Sequence, residues 1–280
     1  MTTPNICQLA EFSILRLSGE ETYSFLQGQV TCDINKLSEQ DWLPGCHCNA
    51  KGKMWSTFIA IKHKQDVLLI LTKESAQQTL AELSKYGVFA KVTISDDTKN
   101  WSVYGSNTPA NAEYNIQLAD SHFLLVNSLE IEEQEPNSAE WWETEILSGR
   151  AHLLNQTVGE YVPQMLNLQA LDYISFNKGC YMGQEMVARM RYLGKNKRAL
   201  YLAKSEQPVK AEAGNDVAIM MNNNLRNIGK IIQSQTLENH TVFQLVLPKD
   251  TELTQTIYLN SEQSLPLTLL ELPYLLDEQG

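Results

Sequence analysis

The sequence predicts an α+β fold, with antiparallel sheets carrying helices on one side and a C-terminal β-barrel. Three observations carry this. The first hundred residues read strand, helix, several strands, helix, strand. Beyond Lys197 the pattern changes to short strand-like runs punctuated by Gly, Asn and Pro. At 280 residues the chain also exceeds one small core, given roughly 100–200 residues per domain.

The elements follow in order. Residues 12–17 alternate and predict a strand. Ser18 and Glu21 form a capping-box pattern that opens a short helix through Phe25 and Leu26, with Gly28 as its terminator. Residues 41–49 are extended and 50–53 form a turn. Residues 54–62 and 66–72 predict a hairpin across 63–65. Residues 75–86 are helical, because Ala76, Leu80, Leu83 and Tyr86 fall near one face, and Gly87 ends the helix. Residues 88–95 return as a strand. Short strands surround Tyr104 and Phe123 within 101–126, and 130–136 is an acidic loop. Asn137 and Ser138 cap a helix through Trp141, Trp142 and Ile146 to Gly149. Residues 161–171 are loop-like. The last helix starts after Gly183 and runs to about Leu193, with Gly194 as its C′ residue. Strand-like runs at 198–204, 227–235, 241–247, 254–259 and 265–270 then predict a barrel of five or six strands. The domain reading is 1–100, 101–196 and 197–280.

Composition narrows the function classes. Hydrophobic residues make up 43% and charged residues 20%, an ordinary globular balance. No apolar run reaches the ~18–20 residues of a membrane span, and the N-terminus lacks a secretory pattern, so a cytoplasmic protein without membrane association is expected. Five cysteines, an odd and sparse set, argue against a disulfide framework. The net charge of -11 disfavours direct, stable nucleic-acid binding. Charge is uneven, however. Lys178, Arg189, Arg191, Lys195, Lys197 and Arg198 face only Glu185 within residues 178–198, which gives this window +5 within the total of -11. Such an island suits a small anionic ligand, against the plainer alternative of a solvated helix face.

The chemistry concentrates at Lys178-Gly179-Cys180-Tyr181-Met182-Gly183-Gln184-Glu185. Gly179 and Gly183 permit backbone shapes that other residues resist. Cys180 falls just before a helix N-terminus, whose partial positive charge favours a thiolate, with Lys178 and Arg189 pushing the same way. A buried, inert cysteine is the alternative. Of the five histidines, none carries a local pattern that marks it as a base for Cys180, and His152 is merely nearest in sequence. Cys46-His47-Cys48 lacks a second ligand pair, and a strand would split it across two faces, so no metal site is expected. Trp141 and Trp142 cannot both face the core of one helix, so one is available for ring stacking or interdomain packing.

These residues resemble the signature of the YgfZ family, K-G-C-Y-x-G-Q-E. Further boxes resemble the family in the same order: Phe25-Leu26-Gln27-Gly28-Gln29-Val30-Thr31, His47-Cys48-Asn49-Ala50-Lys51-Gly52-Lys53-Met54-Trp55, Lys85-Tyr86-Gly87-Val88-Phe89-Ala90-Lys91-Val92, Pro163-Gln164-Met165-Leu166-Asn167-Leu168-Gln169, and Lys197-Arg198-Ala199-Leu200. The resemblance implies a fold like that of the glycine-cleavage T-protein (GcvT), with ferredoxin-like α+β subdomains and a C-terminal barrel around a central channel for tetrahydrofolate or a one-carbon derivative. It implies a folate-binding accessory or regulatory protein that supports iron–sulfur enzymes or their assembly factors, and thereby tRNA modification, with a link to replication initiation. The family's two folate-contacting tryptophans align with Trp141 and with Phe12, where the ring is kept and the indole N–H is lost. The resemblance also points to Gln184, Glu185 and Arg189 for folate, and to Cys180 with Lys178 as the functional thiol and its neighbour. The basic island would suit the glutamate tail. The segment between Trp101 and Trp141 is shorter than in the family. The catalytic Asp of the T-protein is absent near Leu71-Thr72-Lys73-Glu74-Ser75, so aminomethyl transfer does not carry over. Two other readings stay open: a folate-dependent one-carbon transferase that uses Cys180, and an RNA-binding module.

Overall fold

A computed structural model describes residues 5–39, 41–131, 137–194, 196–259 and 265–276. Part of the 130–136 loop and Lys195 of the basic island lie outside these residues. The chain begins with β1 (Ile6–Gln8), β2 (Phe12–Ser18), α1 (Thr22–Gln27), β3 (Trp42–Cys48), β4 (Met54–His63), β5 (Asp66–Thr72), α2 (Lys73–Gly87) and β6 (Thr93–Asp96). Next come β7 (Ser102–Ser106), β8 (Tyr114–Ala119), β9 (His122–Asn127), α3 (Ala139–Leu147) and α4 (Gln184–Tyr192). The C-terminal strands are β10 (Arg198–Ser205), β11 (Asp216–Met221), β12 (Asn224–Thr236), β13 (Thr241–Pro248), β14 (Ile257–Leu259) and β15 (Pro266–Leu270).

Three sheets result. A five-stranded sheet has the order β3-β4-β5-β2-β6, a four-stranded sheet the order β1-β7-β9-β8, and the last six strands close a barrel in the order β10-β13-β12-β11-β14-β15. All the pairings are antiparallel. The five-stranded sheet is buried on both faces. Leu15, Leu17, Leu69 and Leu71 pack with Leu26, Ala76 and Leu83 of the helices. Ile14, Ile59, Ile61, Leu68 and Ile70 pack against Val103, Ile116, Leu124 and Val126 of the four-stranded sheet. Two buried faces explain why β5 reads as a nearly unbroken apolar run.

Several local expectations need correction. The capping box does not form: Ser18 ends β2, and the Glu21 carboxylate accepts the Lys91 backbone N–H at 2.6 Å instead. Gly28 follows α1 but keeps right-handed backbone, φ -86°. The strand expected over 88–95 shrinks to β6, because Phe89 and Ala90 donate back to Tyr86 and Gly87 and prolong the end of α2 as turns. Short 3-10 turns at Pro163–Leu166 and Leu168–Leu171 replace the expected loop. The barrel's sixth strand, β11, has exposed Met220 and Met221, which blur its alternation.

Candidate functional site

A cavity of about 190 Å³ opens where the end of β5, the start of α2, α3 and the barrel strand β12 meet. Thr72, Glu74, Trp142, Ile146, His152 and Gln233 are among its lining residues. Trp142 and Ile146 share one face of α3 at i, i+4 spacing. The Trp142 ring stacks nearly parallel on Phe12, with centroids 5.5 Å apart and planes at 11°. Two enclosed polar atoms at this wall lack hydrogen-bond partners: Trp142 Nε1, a donor, and Glu74 Oε2, an acceptor.

Of the two adjacent tryptophans, Trp142 and not Trp141 lines this space. Trp141 is built into the core, where its Nε1 donates to the Phe123 carbonyl at 3.0 Å and its ring stacks on His122 at 4.7 Å. A Cβ at Gly105 would lie 2.3 Å from Trp141 Cδ1, so Gly105 is the clearance for that ring. Phe12 stands edge-on to Trp141 at 6.2 Å. The fold thus brings Phe12 and Trp141 together behind the cavity wall.

Behind the same wall sits a buried charge cluster. Glu145, fully buried, accepts His122 Nε2 and His152 Nε2 at 2.8 Å each and Arg150 Nε at 3.0 Å. Burial alone would raise its carboxyl. The Arg150 guanidinium and the two histidine hydrogen bonds outweigh that and hold it well below the usual carboxylate range. The backbone carbonyl of Arg150 accepts Gln233 and Gln244 side chains from β12 and β13, which ties the cluster to the barrel.

The signature loop lies elsewhere, docked on residues 28–32 and 49–52. Gly183 has φ +85°, and a Cβ there would meet the Asn49 carbonyl at 2.5 Å. Gly179 lacks this constraint: a Cβ there meets nothing within 4 Å. Met182 N–H donates to the Gly28 carbonyl at 3.0 Å. Lys178 Nζ donates to the carbonyls of Val30 and Cys32 at 2.7 and 2.6 Å, and burial lowers its pKa to about 8. The three boxes around residues 28, 49 and 183 therefore converge on one another. Gln184, Glu185 and Arg189 ride on α4, where Arg189 pairs with Glu185 at 2.6 Å, and none of them lines the cavity. The basic island disperses in space. Lys178 turns inward, Arg198 Nη1 donates to the Ile228 carbonyl, and Arg191 lies over the Phe176 ring at 3.8 Å beside a second cleft.

Cys180 is exposed, while Cys7, Cys32, Cys46 and Cys48 are buried. Burial pushes the Cys32 thiol up to about 12 and raises Cys46 and Cys48 as well. One thiol of the native protein should therefore react quickly with a chromogenic disulfide reagent. Cys180→Ser should remove that fast phase; a fast phase surviving in the variant would refute this accessibility order. His47, opposite Cys46 and Cys48 across the strand, is buried with its pKa lowered to about 3. No group of three or more possible metal ligands occurs among the described residues.

Sequence reasoning singled out the Trp141–Trp142 pair but took Trp141 rather than Trp142 for the ligand, and it missed Glu74 and the Glu145 cluster. The i, i+4 pairing of Trp142 with Ile146 was the available signal for Trp142; nothing local marks the others.

Comparison with known proteins agrees with this architecture. A family model described as "YgfZ, beta-barrel domain" matches residues 196–262. The "tRNA-modifying protein YgfZ" of Colwellia psychrerythraea is 35% identical, with 95% of this chain and 94% of that protein covered. The protein of the same name from Sodalis glossinidius is 33% identical, covering 98% of this chain and 94% of its own. A solved structure of the glycine cleavage system aminomethyltransferase T from Bartonella henselae shares the fold, with a TM-score of 0.71 at 12% identity over 99% of this chain and 87% of that one. With identity of this order along nearly the whole length, a matching barrel and a shared fold, the chain belongs to the YgfZ family.

Proposed function

We propose that this protein is a tetrahydrofolate-binding accessory factor that supports iron–sulfur enzymes or their assembly factors and, through them, tRNA modification. The observation that carries the folate part is the cavity at the meeting point of α3, β5 and the barrel, with its aromatic wall and its two unpaired polar atoms. These residues fit the head of a folate. Trp142, backed by Phe12, offers a flat face, and ring stacking contributes about 0.5–1.5 kcal/mol beyond area burial. Glu74 is a carboxylate without a partner on one oxygen, suited to the paired N–H groups of a pterin's amino-pyrimidine edge. The volume of about 190 Å³ falls below the roughly 300–1,000 Å³ that encloses a whole drug-sized ligand. The benzoyl-glutamate portion would then extend outward. The tRNA connection comes from the name of the relatives. The net charge of -11 favours a role exerted through protein partners rather than by holding RNA.

The test is a titration with tetrahydrofolate, followed by intrinsic tryptophan fluorescence and checked by equilibrium dialysis. The wild type should show saturable quenching. Trp142→Ala should lose most of the quenching and about tenfold in affinity, the equivalent of ~1.4 kcal/mol. Glu74→Gln should weaken binding to a similar degree while leaving the quenching amplitude intact. Absence of saturable binding in the wild type would end the folate reading.

A further inference from the structure

His152 lines the cavity and donates to the carboxylate behind it. Glu145, held ionised by Arg150 and its hydrogen bonds, has no proton to give. His152 Nε2, 2.8 Å from Glu145 Oε1, must therefore be the donor. In the neutral form of the ring, this contact uses its single N–H. Nδ1 is then a bare lone-pair acceptor, with no hydrogen-bond partner among the described residues. The ring is held between aromatic neighbours, with Phe12 at 5.4 Å and Trp142 at 5.6 Å, both edge-on. A ring flip would break the Glu145 bond, so tautomer and orientation are fixed together.

We infer that His152, with its tautomer set by Glu145, is a specificity-determining acceptor that selects a reduced pteridine ring over a fully oxidised one. This rests on the folate reading above. A tetrahydropteridine carries N–H groups at N5 and N8; the oxidised ring carries lone pairs at both positions. Nδ1 gains a hydrogen bond from the first and faces another lone pair in the second. The carboxylates of Glu11 and Glu74 make the same lining rich in acceptors. A buried acceptor left facing an acceptor weakens binding by about tenfold to a hundredfold. Glu145 is a positioning residue in this scheme, because it acts only through His152.

The experiment compares dissociation constants for tetrahydrofolate and folic acid at pH 8, in the wild type and in His152→Phe, which keeps a ring but removes the acceptor. The wild type should prefer tetrahydrofolate by about tenfold or more, and the variant should bind the two within about threefold. A preference that survives in His152→Phe overturns the inference while leaving the folate reading standing. If the wild type binds neither ligand, both readings fall. A second readout does not depend on the variant folding. Nitrogen NMR of the wild-type imidazole should place the proton on Nε2, with the Nδ1 resonance moving when tetrahydrofolate is added. A proton on Nδ1 would equally overturn the inference.

Discussion

Replacing Glu145 with leucine should lower folding stability by about 3–5 kcal/mol, because it strands a buried guanidinium and two buried imidazole N–H groups. Arg150, His122 and His152 crowd around one carboxylate, and all three side chains are buried. Urea unfolding of wild type and variant gives the difference directly. A loss under ~1 kcal/mol would mean that the cluster relaxes when its centre is removed. The same group sets an acid limit. Its folded carboxyl titrates well below the ordinary value of 4.5, so the unfolded chain takes up the proton first. The stabilisation is therefore fully present above the unfolded value and is lost as pH falls from about 4.5 through the lower folded value. Wild-type stability should decline across that acid window more steeply than that of Glu145→Leu, which has no carboxylate to protonate there.

A second large effect is expected at Gly183, where alanine should cost about 2–4 kcal/mol. The left-handed backbone is unfavourable for any L-residue, and the added Cβ would sit 2.5 Å from the Asn49 carbonyl and 2.9 Å from Gly52 Cα. Backbone on both sides cannot move aside as a flexible side chain would. Gly179→Ala provides the contrast, since its Cβ would enter open space, and its cost should stay within about 0.5 kcal/mol. Equal losses at the two glycines would show that the loop, rather than the docking of its end on residues 49–52, controls stability.

The legible part of this protein was its local grammar. The β4–β5 hairpin, the long helix after it and the change to short strands near residue 197 follow from alternation, periodicity and turn residues. The ordered boxes were legible as well, and three of them proved to be neighbours because they build one junction. What stayed hidden was everything assembled from distant positions. His122 lies on a strand, Glu145 on a helix, and Arg150 and His152 in the segment after it, so no window of sequence shows them as one cluster. Trp141 and Trp142 were recognisable as an unusual pair, but which one faces the cavity depends on the rotation of α3 against Gly105 and Phe123. The basic run misled for a related reason. Linear charge density takes no account of a lysine that turns inward or an arginine that lies over a ring.

The N-terminal strand β1 belongs to the four-stranded sheet, where Cys7 faces Gly105, while β2, only a few residues later, belongs to the five-stranded one. On a ribosome the first partner of β2 is β5, beginning at Asp66, whereas β1 waits for β7, beginning at Ser102. The partner of β1 is synthesised 98 residues after it, which at about 5–20 residues per second is a delay of roughly 5–20 s. For that interval the nascent chain carries β1 with neither edge paired, a template for pairing with another chain until β7 emerges.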